Sequence, residues 1–509
     1  MISYLSAQLF ELGETMFHLQ NITKTYNEKL ILDKATLAVN SDEVIALIGE
    51  NGVGKTTLLK ILLGEVTPDE GTVSLHNEVV GYVPQEPINQ EKTVEDSFGS
   101  IESWRIDYAL SMVNLNETNA QNVKSLSGGQ KTRLAIAQVL AKDPEPSVLL
   151  LDEPTNNIDS EGLKWLRQFI SNFSGAILLA SHDRDFINKS ANVVIELKNG
   201  ELKRYGGNYD FYTEQRALER AAEEKAYDAH IEEKKRLEAT IRLQRENGRH
   251  THEHIQRKDG DKYQRDFFRN RVTVKLGQQA KNLETRLDKL EEVERPESSK
   301  RYKVTLSSAT SHDKKLVTTS NLSKHYDNKL ALNNVSLEIR GGDRLHIQGI
   351  NGSGKSTLLK LIAGMIKPDS GHFEYGRDVS IGYFSQEIDG LNYEVSALEN
   401  ATVGNASATS IYKNAMSMGL NERDLKKLPT DLSRGQQAKL AFTRLLLSKN
   451  DLLILDEPTN HLDIATKEKL EEALREYKGS LLVASHDAYF VKRLKINKRL
   501  VLTDGKDTA

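Results

Sequence analysis

The 509-residue chain contains no cysteine, and that one absence removes disulfides, iron–sulfur clusters, thiolate zinc sites and cysteine nucleophiles together. Stretches approaching ~20 consecutive apolar residues are missing too, which argues against a membrane-spanning helix. The opening run Met1–Leu12 lacks a basic segment and carries Glu11 inside its apolar stretch, unlike a secretory signal. With the missing cysteines, this predicts a cytoplasmic protein. An excess of one charge sign is also lacking: the net charge is −4, which excludes a uniformly basic nucleic-acid binder but leaves room for a local basic patch. What the chain does have is 38% hydrophobic and 28% charged residues. Packed cores in a water-soluble chain are expected, and at roughly 100–200 residues per domain the length allows two to four domains.

The dominant feature is an internal repeat. Gly49-Glu-Asn-Gly-Val-Gly-Lys-Thr-Thr57 returns as Gly349-Ile-Asn-Gly-Ser-Gly-Lys-Ser-Thr357, and Tyr82-Val-Pro-Gln-Glu86 as Tyr383-Phe-Ser-Gln-Glu387. In the same order, Leu126-Ser-Gly-Gly-Gln130 returns as Leu432-Ser-Arg-Gly-Gln436, and Leu149-Leu-Leu-Asp-Glu-Pro-Thr-Asn156 as Leu453-Ile-Leu-Asp-Glu-Pro-Thr-Asn460. Ala180-Ser-His-Asp183 returns as Ala484-Ser-His-Asp487, and Tyr26 as Tyr326. Near-constant spacing makes this a duplicated domain, with copies at 16–213 and 315–505. An extension of residues 1–15 precedes them, a charged segment 214–297 and a connection 298–314 separate them, and a tail 506–509 follows. Each copy reads as α/β, because continuous apolar runs such as Val44–Ile48 and Val148–Leu151 suit parallel strands covered by helices on both faces. In the segment between copies, Leu276, Ala280, Leu283, Leu287 and Leu290 step by four and three, the spacing of a coiled-coil seam. A break near Asn247-Gly-Arg-His-Thr-His252 and Lys258-Asp-Gly-Asp261 predicts an antiparallel helical hairpin. Arms of roughly 35 residues would each reach ~50 Å.

The repeated glycine loops point to nucleotide chemistry. Gly49, Gly52 and Gly54, with Gly349, Gly352 and Gly354, let backbone N–H groups approach phosphate oxygens at a helix N-terminus. Asn51, Thr57, Asn351 and Thr357 belong to the same loops. Lys55 and Lys355 are placed for the β- and γ-phosphates, and Thr56 and Ser356 offer hydroxyls to Mg²⁺. A glycine-rich turn before an ordinary helix explains one such loop but not two in register. Asp152 and Asp456 end apolar strands, where a carboxylate holds Mg²⁺ directly or through water. Glu153 and Glu457 follow, placed to orient or deprotonate an attacking water. His182 and His486 are positioned to contact a γ-phosphate. Gln85 and Gln386 are either Mg²⁺ or water ligands or ordinary surface glutamines. Tyr26 and Tyr326 either stack on a purine or sit at a core edge. Ser127, Gly128, Gly129 and Gln130, with Ser433, Gly435 and Gln436, open a second anion-receptive helix in each copy. One domain needs one phosphate site, so these loops are expected to close over the other copy's nucleotide in a monomer whose halves pair head to tail.

These motifs resemble those of ATP-binding cassette ATPases, over about four-fifths of the chain. Two cassettes on one chain, a charged helical linker, Leu455-Asp-Glu-Pro-Thr-Asn-His-Leu-Asp463 and Tyr205-Gly-Gly-Asn-Tyr-Asp-Phe-Tyr212 are similar to the ABC-F class of translation factors. The resemblance implies two P-loop cassettes, each with a parallel-sheet core and a helical subdomain, joined by the long hairpin. It further implies ATP and Mg²⁺ as cofactors and binding to the ribosome, both rRNA and peptidyl-tRNA, with the hairpin reaching toward the peptidyl-transferase region. The compact 87–125 stretch leaves no room for the arm insertion of housekeeping members, a shape similar to the members that protect ribosomes from antibiotics. Three departures stand out: Arg434 in place of the first signature glycine, Asn157-Ile158 where the second copy has His461-Leu462, and residues 1–15 ahead of the cassette pattern.

Residues 241–275 hold ten basic against five acidic side chains, with Tyr263, Phe267 and Phe268 among them. Arg257, Lys258, Lys262, Arg265, Arg269 and Arg271 suit RNA phosphates, with rings for stacking; a solvated helical face is the alternative. His250, His252 and His254 lack a fourth ligand pattern and are not read as a metal site. A rival for the whole chain is the ATP-hydrolysing subunit of a membrane transporter, with a coupling surface near Gln85 and Gln386. The long basic hairpin argues against it.

Overall fold

The computed structural model describes residues 15–84, 92–115, 121–155, 158, 160–255, 274–275, 278–279, 281–288, 290, 314–326, 329–350, 352–385, 390–404, 406–460, 462–503 and 505–507. Gln85, Gln386, Asn351 and the proposed RNA contacts from Arg257 to Arg271 lie outside these residues. The chain divides into two compact units, one formed by 1–212 with 302–509 and the other by 213–301.

The first unit holds both copies, and each is α/β. In the first, β1 (Thr15–Tyr26), β2 (Lys29–Asn40) and β4 (Glu70–Ser74) form an antiparallel sheet, with β3 (Val44–Ile48) between β2 and β4 in sequence. Then β5 (Val80–Val83), β6 (Val148–Asp152), β7 (Ala176–Ala180), β8 (Val193–Lys198) and β9 (Glu201–Gly206) join β3 in a six-stranded sheet of order β5-β6-β7-β3-β8-β9. All its pairs are parallel except β8 with β9. The second copy repeats the plan: β10 (Lys315–Tyr326), β11 (Lys329–Arg340) and β13 (Ser370–Tyr375) pair antiparallel. There β12 (Arg344–Gln348), β14 (Ile381–Phe384), β15 (Leu452–Asp456), β16 (Ser480–Ala484), β17 (Lys498–Thr503) and β18 (Lys506–Asp507) stand in the order β14-β15-β16-β12-β17-β18.

Every residue of β6, β7, β15 and β16 is buried, which is why these strands are unbroken apolar runs rather than alternating ones. Each sheet packs two cores, one under the antiparallel sheet and one under the helices. The register sets Asp152 beside Ala180 and Asp456 beside Ala484. The loops after β3, β6 and β7 therefore emerge together at the carboxyl edge of the sheet, where open parallel sheets bind ligands.

One helix runs from Tyr209 to Ile255, and its residues from Thr213 onward belong to the second unit. It passes straight through Asn247-Gly248, which corrects the expected break at that point. A glycine in a helix interior costs only about 1 kcal/mol, and a long cooperative helix carrying pairs such as Arg242–Glu246 at 3.0 Å absorbs it. Residues 281–288 are helical as well. Arg245 pairs with Glu284, and Arg286 lies 3.5 Å from Glu233, the crossed order of antiparallel limbs. Leu276 and Ala280 of the expected seam are outside the described residues.

Candidate functional site

Each glycine loop turns where only glycine fits easily. Gly54 and Gly354 adopt φ of 119° and 97° at the N-caps of the helices Lys55–Leu62 and Lys355–Ile362. A Cβ at Gly54 would come within 2.6 Å of the Ile31 side chain, and one at Gly354 would strike the Ala331 carbonyl. Both lysines are buried and fold over their own loops. Lys55 Nζ donates to Gly49 O at 2.9 Å and Glu50 O at 3.2 Å, and Lys355 Nζ to Gly349 O at 2.7 Å and Ile350 O at 3.0 Å. Burial lowers the pKa of Lys55, against the pull of Glu153, Asp463 and Asp152. Lys355 is lowered for the same first reason.

At the end of β6, Asp152 accepts from Thr56 Oγ1 at 3.1 Å and Tyr82 OH at 3.2 Å. Asp456 accepts from Ser356 and, at 3.4 Å, from Tyr383 OH. Immediately after, Glu153 and Glu457 take left-handed φ of 48° and 44°, a conformation non-glycine residues adopt at a cost. Hydrogen bonds from Glu153 N to Ala180 O (2.8 Å) and from Glu457 N to Ala484 O (2.9 Å) hold those kinks. Burial pushes both carboxyls up to about 7 from 4.5. Glu153 Oε1 lies 3.3 Å from His182 Nε2, and Glu457 Oε1 lies 3.5 Å from His486 Nε2. His182 Nε2 is also 3.0 Å from Asn51 Oδ1 and 3.2 Å from Lys55 Nζ. Burial, then Lys55 and Lys467, hold the His182 pKa well below its ordinary value, so the imidazole is neutral. The two histidines differ in setting: the His182 side chain is 12% exposed and His486 40%.

The copies meet across this chemistry. Asp463 accepts at 3.4 Å from Asn51 N of the first loop, at 3.0 Å from Lys439 Nζ and at 2.8 Å from Thr466 N. Burial opposes its charge, but Lys439 and Thr466 outweigh that and hold the carboxyl well below the usual carboxylate range. A cleft of about 1350 Å³ takes in both glycine loops, both Asp-Glu pairs, both histidines and Ser433, Arg434, Gly435 and Gln436. Ser433 caps its helix reciprocally with Gln436, at 3.3 and 3.0 Å. The first copy's loop is built alike, with Ser127 and Gln130 capping at 3.3 and 2.9 Å. Ser127, Gly128, Gly129 and Gln130 are nevertheless not among the described residues that line the cleft, nor is Tyr26, whereas Tyr326, Thr57 and Thr357 are. Lys24 and Lys324 lie over the Tyr26 and Tyr326 rings at 5.5 and 5.8 Å.

The site suits a triphosphate with a divalent cation. Glu153 Oε1, Glu457 Oε1, Asp456 Oδ1 and Ser353 Oγ are buried without hydrogen bonds, and such atoms ask for a partner. Among the described residues no group of three or more His, Asp or Glu could hold a metal by itself. A cation here needs oxygens beyond those that the described residues gather, as Mg²⁺ does when it binds phosphates with one or two protein ligands.

Reading the motifs alone misses Tyr82 and Tyr383, which donate to the aspartates, and the cross-copy residues Lys439, Asp463, Lys467, Arg184 and Glu471. The tyrosines sit inside repeated segments, so the repeat itself was a usable signal. Of the cross-copy residues, Asp463 closes the quoted segment Leu455–Asp463, whereas Lys467, Arg184 and Glu471 carry no comparable signal.

A family profile described as ABC transporter matches residues 32–156 and again 332–460, and a second of the same description matches 195–305. ABC transporter F family member 2 of Arabidopsis thaliana is 30% identical, covering 96% of this chain and 75% of its own. The ribosome protection protein VmlR of Bacillus subtilis (strain 168) is 28% identical over 96% of this chain and 87% of its own. Among solved structures, an archaeal ribosome recycling factor, aABCE1, in complex with ribosomal stalk protein aP1, has the same fold. Its TM-score is 0.63 at 18% identity, with 96% of this chain and 89% of that one covered. Among the described residues no helix is long and apolar enough to cross a membrane.

Proposed function

The chain belongs to the F family of ABC transporter proteins, with paired ATP-binding cassettes that imply ATP hydrolysis, and from that premise we propose a Mg²⁺-dependent ATPase that engages the ribosome while ATP-bound. In this reading the protein is cytoplasmic and monomeric. It acts on the peptidyl-tRNA and peptidyl-transferase region through the segment between its cassettes, as an antibiotic-resistance ribosomal protection factor, and leaves on hydrolysis. The carrying observation is one cleft lined by Lys55, Glu153 and His182 of one cassette and by Ser433, Gly435 and Gln436 of the other. The kinship with a ribosome protection protein along nearly the whole chain supports the ribosomal part.

Bound ATP and Mg²⁺ supply the phosphoanhydride to be cleaved and the cation that draws charge from it. Lys55 and Lys355, with the amides of Gly52, Gly54, Gly352 and Gly354, hold the phosphates. Thr56 with Asp152, and Ser356 with Asp456, hold the cation, joined by Gln85 and Gln386. Glu153 and Glu457 orient water and take its proton, at carboxyls already shifted toward neutral pH. Neutral His182 donates to the γ-phosphate, with His486 as its counterpart. Ser433, Gly435 and Gln436 close the first site, and Ser127, Gly128, Gly129 and Gln130 the second. Asn51, Asn351, Thr57, Thr357, Gly49 and Gly349 shape the loops, and Tyr26 and Tyr326 bear on the base. Arg257, Lys258, Lys262, Arg265, Arg269 and Arg271 contact RNA.

Glu153→Gln combined with Glu457→Gln traps the closed state, so with ATP the double variant is expected to co-sediment with ribosomes in a sucrose gradient. A double variant that binds ATP yet stays at the top of the gradient would remove the ribosomal reading and favour the transporter one.

A further inference from the structure

The cassette interface carries a buried ionic cluster around Arg184 and Glu471. Aligning the repeats sets Arg184 against Ala488, Leu163 against Lys467, Arg167 against Glu471 and Asp183 against Asp487. In the structure, Arg184 of the first cassette donates to Glu471 and, at 3.3 Å, to Asp487 of the second. Arg184 and Glu471 are each 1% exposed. Arg493 approaches the other Glu471 oxygen at 3.4 Å, and the Arg184 guanidinium lies 5.5 Å over the Tyr489 ring. Lys467 stands beside this cluster on the same helix as Glu471, Ile464–Glu476. Its Nζ is 3.6 Å from Asp487 and donates at 3.0 Å to the backbone carbonyl of His182. At the mirror-related edge the counterparts are Leu163 and Ala488, neither of which carries a charge or a donor, and Arg167 pairs instead within its own cassette, 3.5 Å from Asp185.

We propose that Lys467 is a positioning residue for the first ATP site, acting from the opposite cassette through the His182 carbonyl and seated there by the Arg184–Glu471–Asp487 cluster. The inference rests on the ATPase reading above and deepens it. The His182 ring touches Asn51, Lys55 and Glu153 within 3.3 Å, so a shift of its backbone displaces the imidazole from all three at once. Holding that carbonyl from across the interface makes the first site's geometry depend on the second cassette being docked. At the position in the first cassette that corresponds to Lys467 the chain has Leu163, whose side chain has no donor. Closure of the second cassette therefore arranges the first site's histidine.

The test is steady-state ATP hydrolysis by the full-length protein with Lys467→Met, which keeps an unbranched side chain one atom shorter and drops its donor, and with Lys467→Arg, which keeps a donor. Lys467→Met is expected to lower kcat roughly tenfold or more with KM for ATP changed less than about twofold, and Lys467→Arg is expected to recover most of the loss. Wild-type kcat in Lys467→Met, a loss carried mainly by KM, or no recovery with arginine each overturns the proposal. A second reading needs no turnover: in nucleotide-free protein with labelled histidine, the His182 imidazole resonance, assigned with His182→Gln, moves in Lys467→Met and stays near its place in Lys467→Arg. An unmoved resonance also overturns the proposal. A parent protein that turns over no ATP while its His182 resonance responds as stated defeats the ATPase reading and leaves the positioning contact standing.

Discussion

Glu153→Gln should stabilise the nucleotide- and magnesium-free protein at alkaline pH and do nothing for it at acid pH. The Glu153 side chain is 12% exposed, and burial raises its pKa from 4.5 to about 7. Below pH 4.5 the carboxyl is protonated in folded and unfolded chains alike, and the burial carries no ionic penalty. Between 4.5 and about 7 the unfolded chain has lost the proton and the folded one keeps it, so unfolding releases a proton and stability falls as pH rises. Above 7 both states are ionised and the full penalty stands. At about 1.4 kcal/mol per pH unit of displacement, that penalty is about 3 kcal/mol. Glutamine has nearly the same shape and no charge to bury, so the variant's advantage should grow from near zero at pH 4.5 to about 3 kcal/mol at pH 8. The assay is urea unfolding followed by tryptophan fluorescence. Both tryptophans, Trp104 and Trp165, lie in the first cassette with Glu153, and Trp165 stacks on Phe169 with centroids 5.6 Å apart. A gain of equal size at pH 4.5 and pH 8 would refute the reasoning, because it would mean the folded protein does not hold that proton.

Two further outcomes follow from particular contacts. Tyr82→Phe removes the hydroxyl that donates to Asp152 at 3.2 Å; since partners of a metal-holding carboxylate tune its grip, the Mg²⁺ concentration for half-maximal ATPase activity should rise roughly tenfold, with urea unfolding little changed. Gly81→Ala sets a Cβ against Val139 and, at 3.0 Å, Pro146, where β5 meets the helix Gly128–Leu140; the overpacking should cost about 1–3 kcal/mol and lower the tryptophan-monitored midpoint.

Much of the site was legible because its signals are local. A glycine loop between an apolar strand and a helix is contained within a dozen residues, and hearing it twice in register removed the ordinary explanations. The same holds for Asp152-Glu153 and Asp456-Glu457 at strand ends, and for Ser127 and Ser433 with a glutamine three residues on. The misreading at Asn247-Gly248 came from trusting a local signal against a cooperative one, since one unfavourable residue does not end a long helix that every neighbouring turn supports.

From composition and spacing alone came the α/β class, the duplication and the residue types gathered at the carboxyl edge of each sheet. Which residues of one half touch the other came only with the folded chain. Arg184 and Glu471 are 287 positions apart, and Lys467 grips a backbone carbonyl, a group every residue has. No periodicity or motif can encode such a contact, because it depends on how two finished surfaces dock. The left-handed turns at Glu153 and Glu457, the raised pKa of each carboxyl and the Arg184–Glu471 ion pair likewise belong to the assembled molecule.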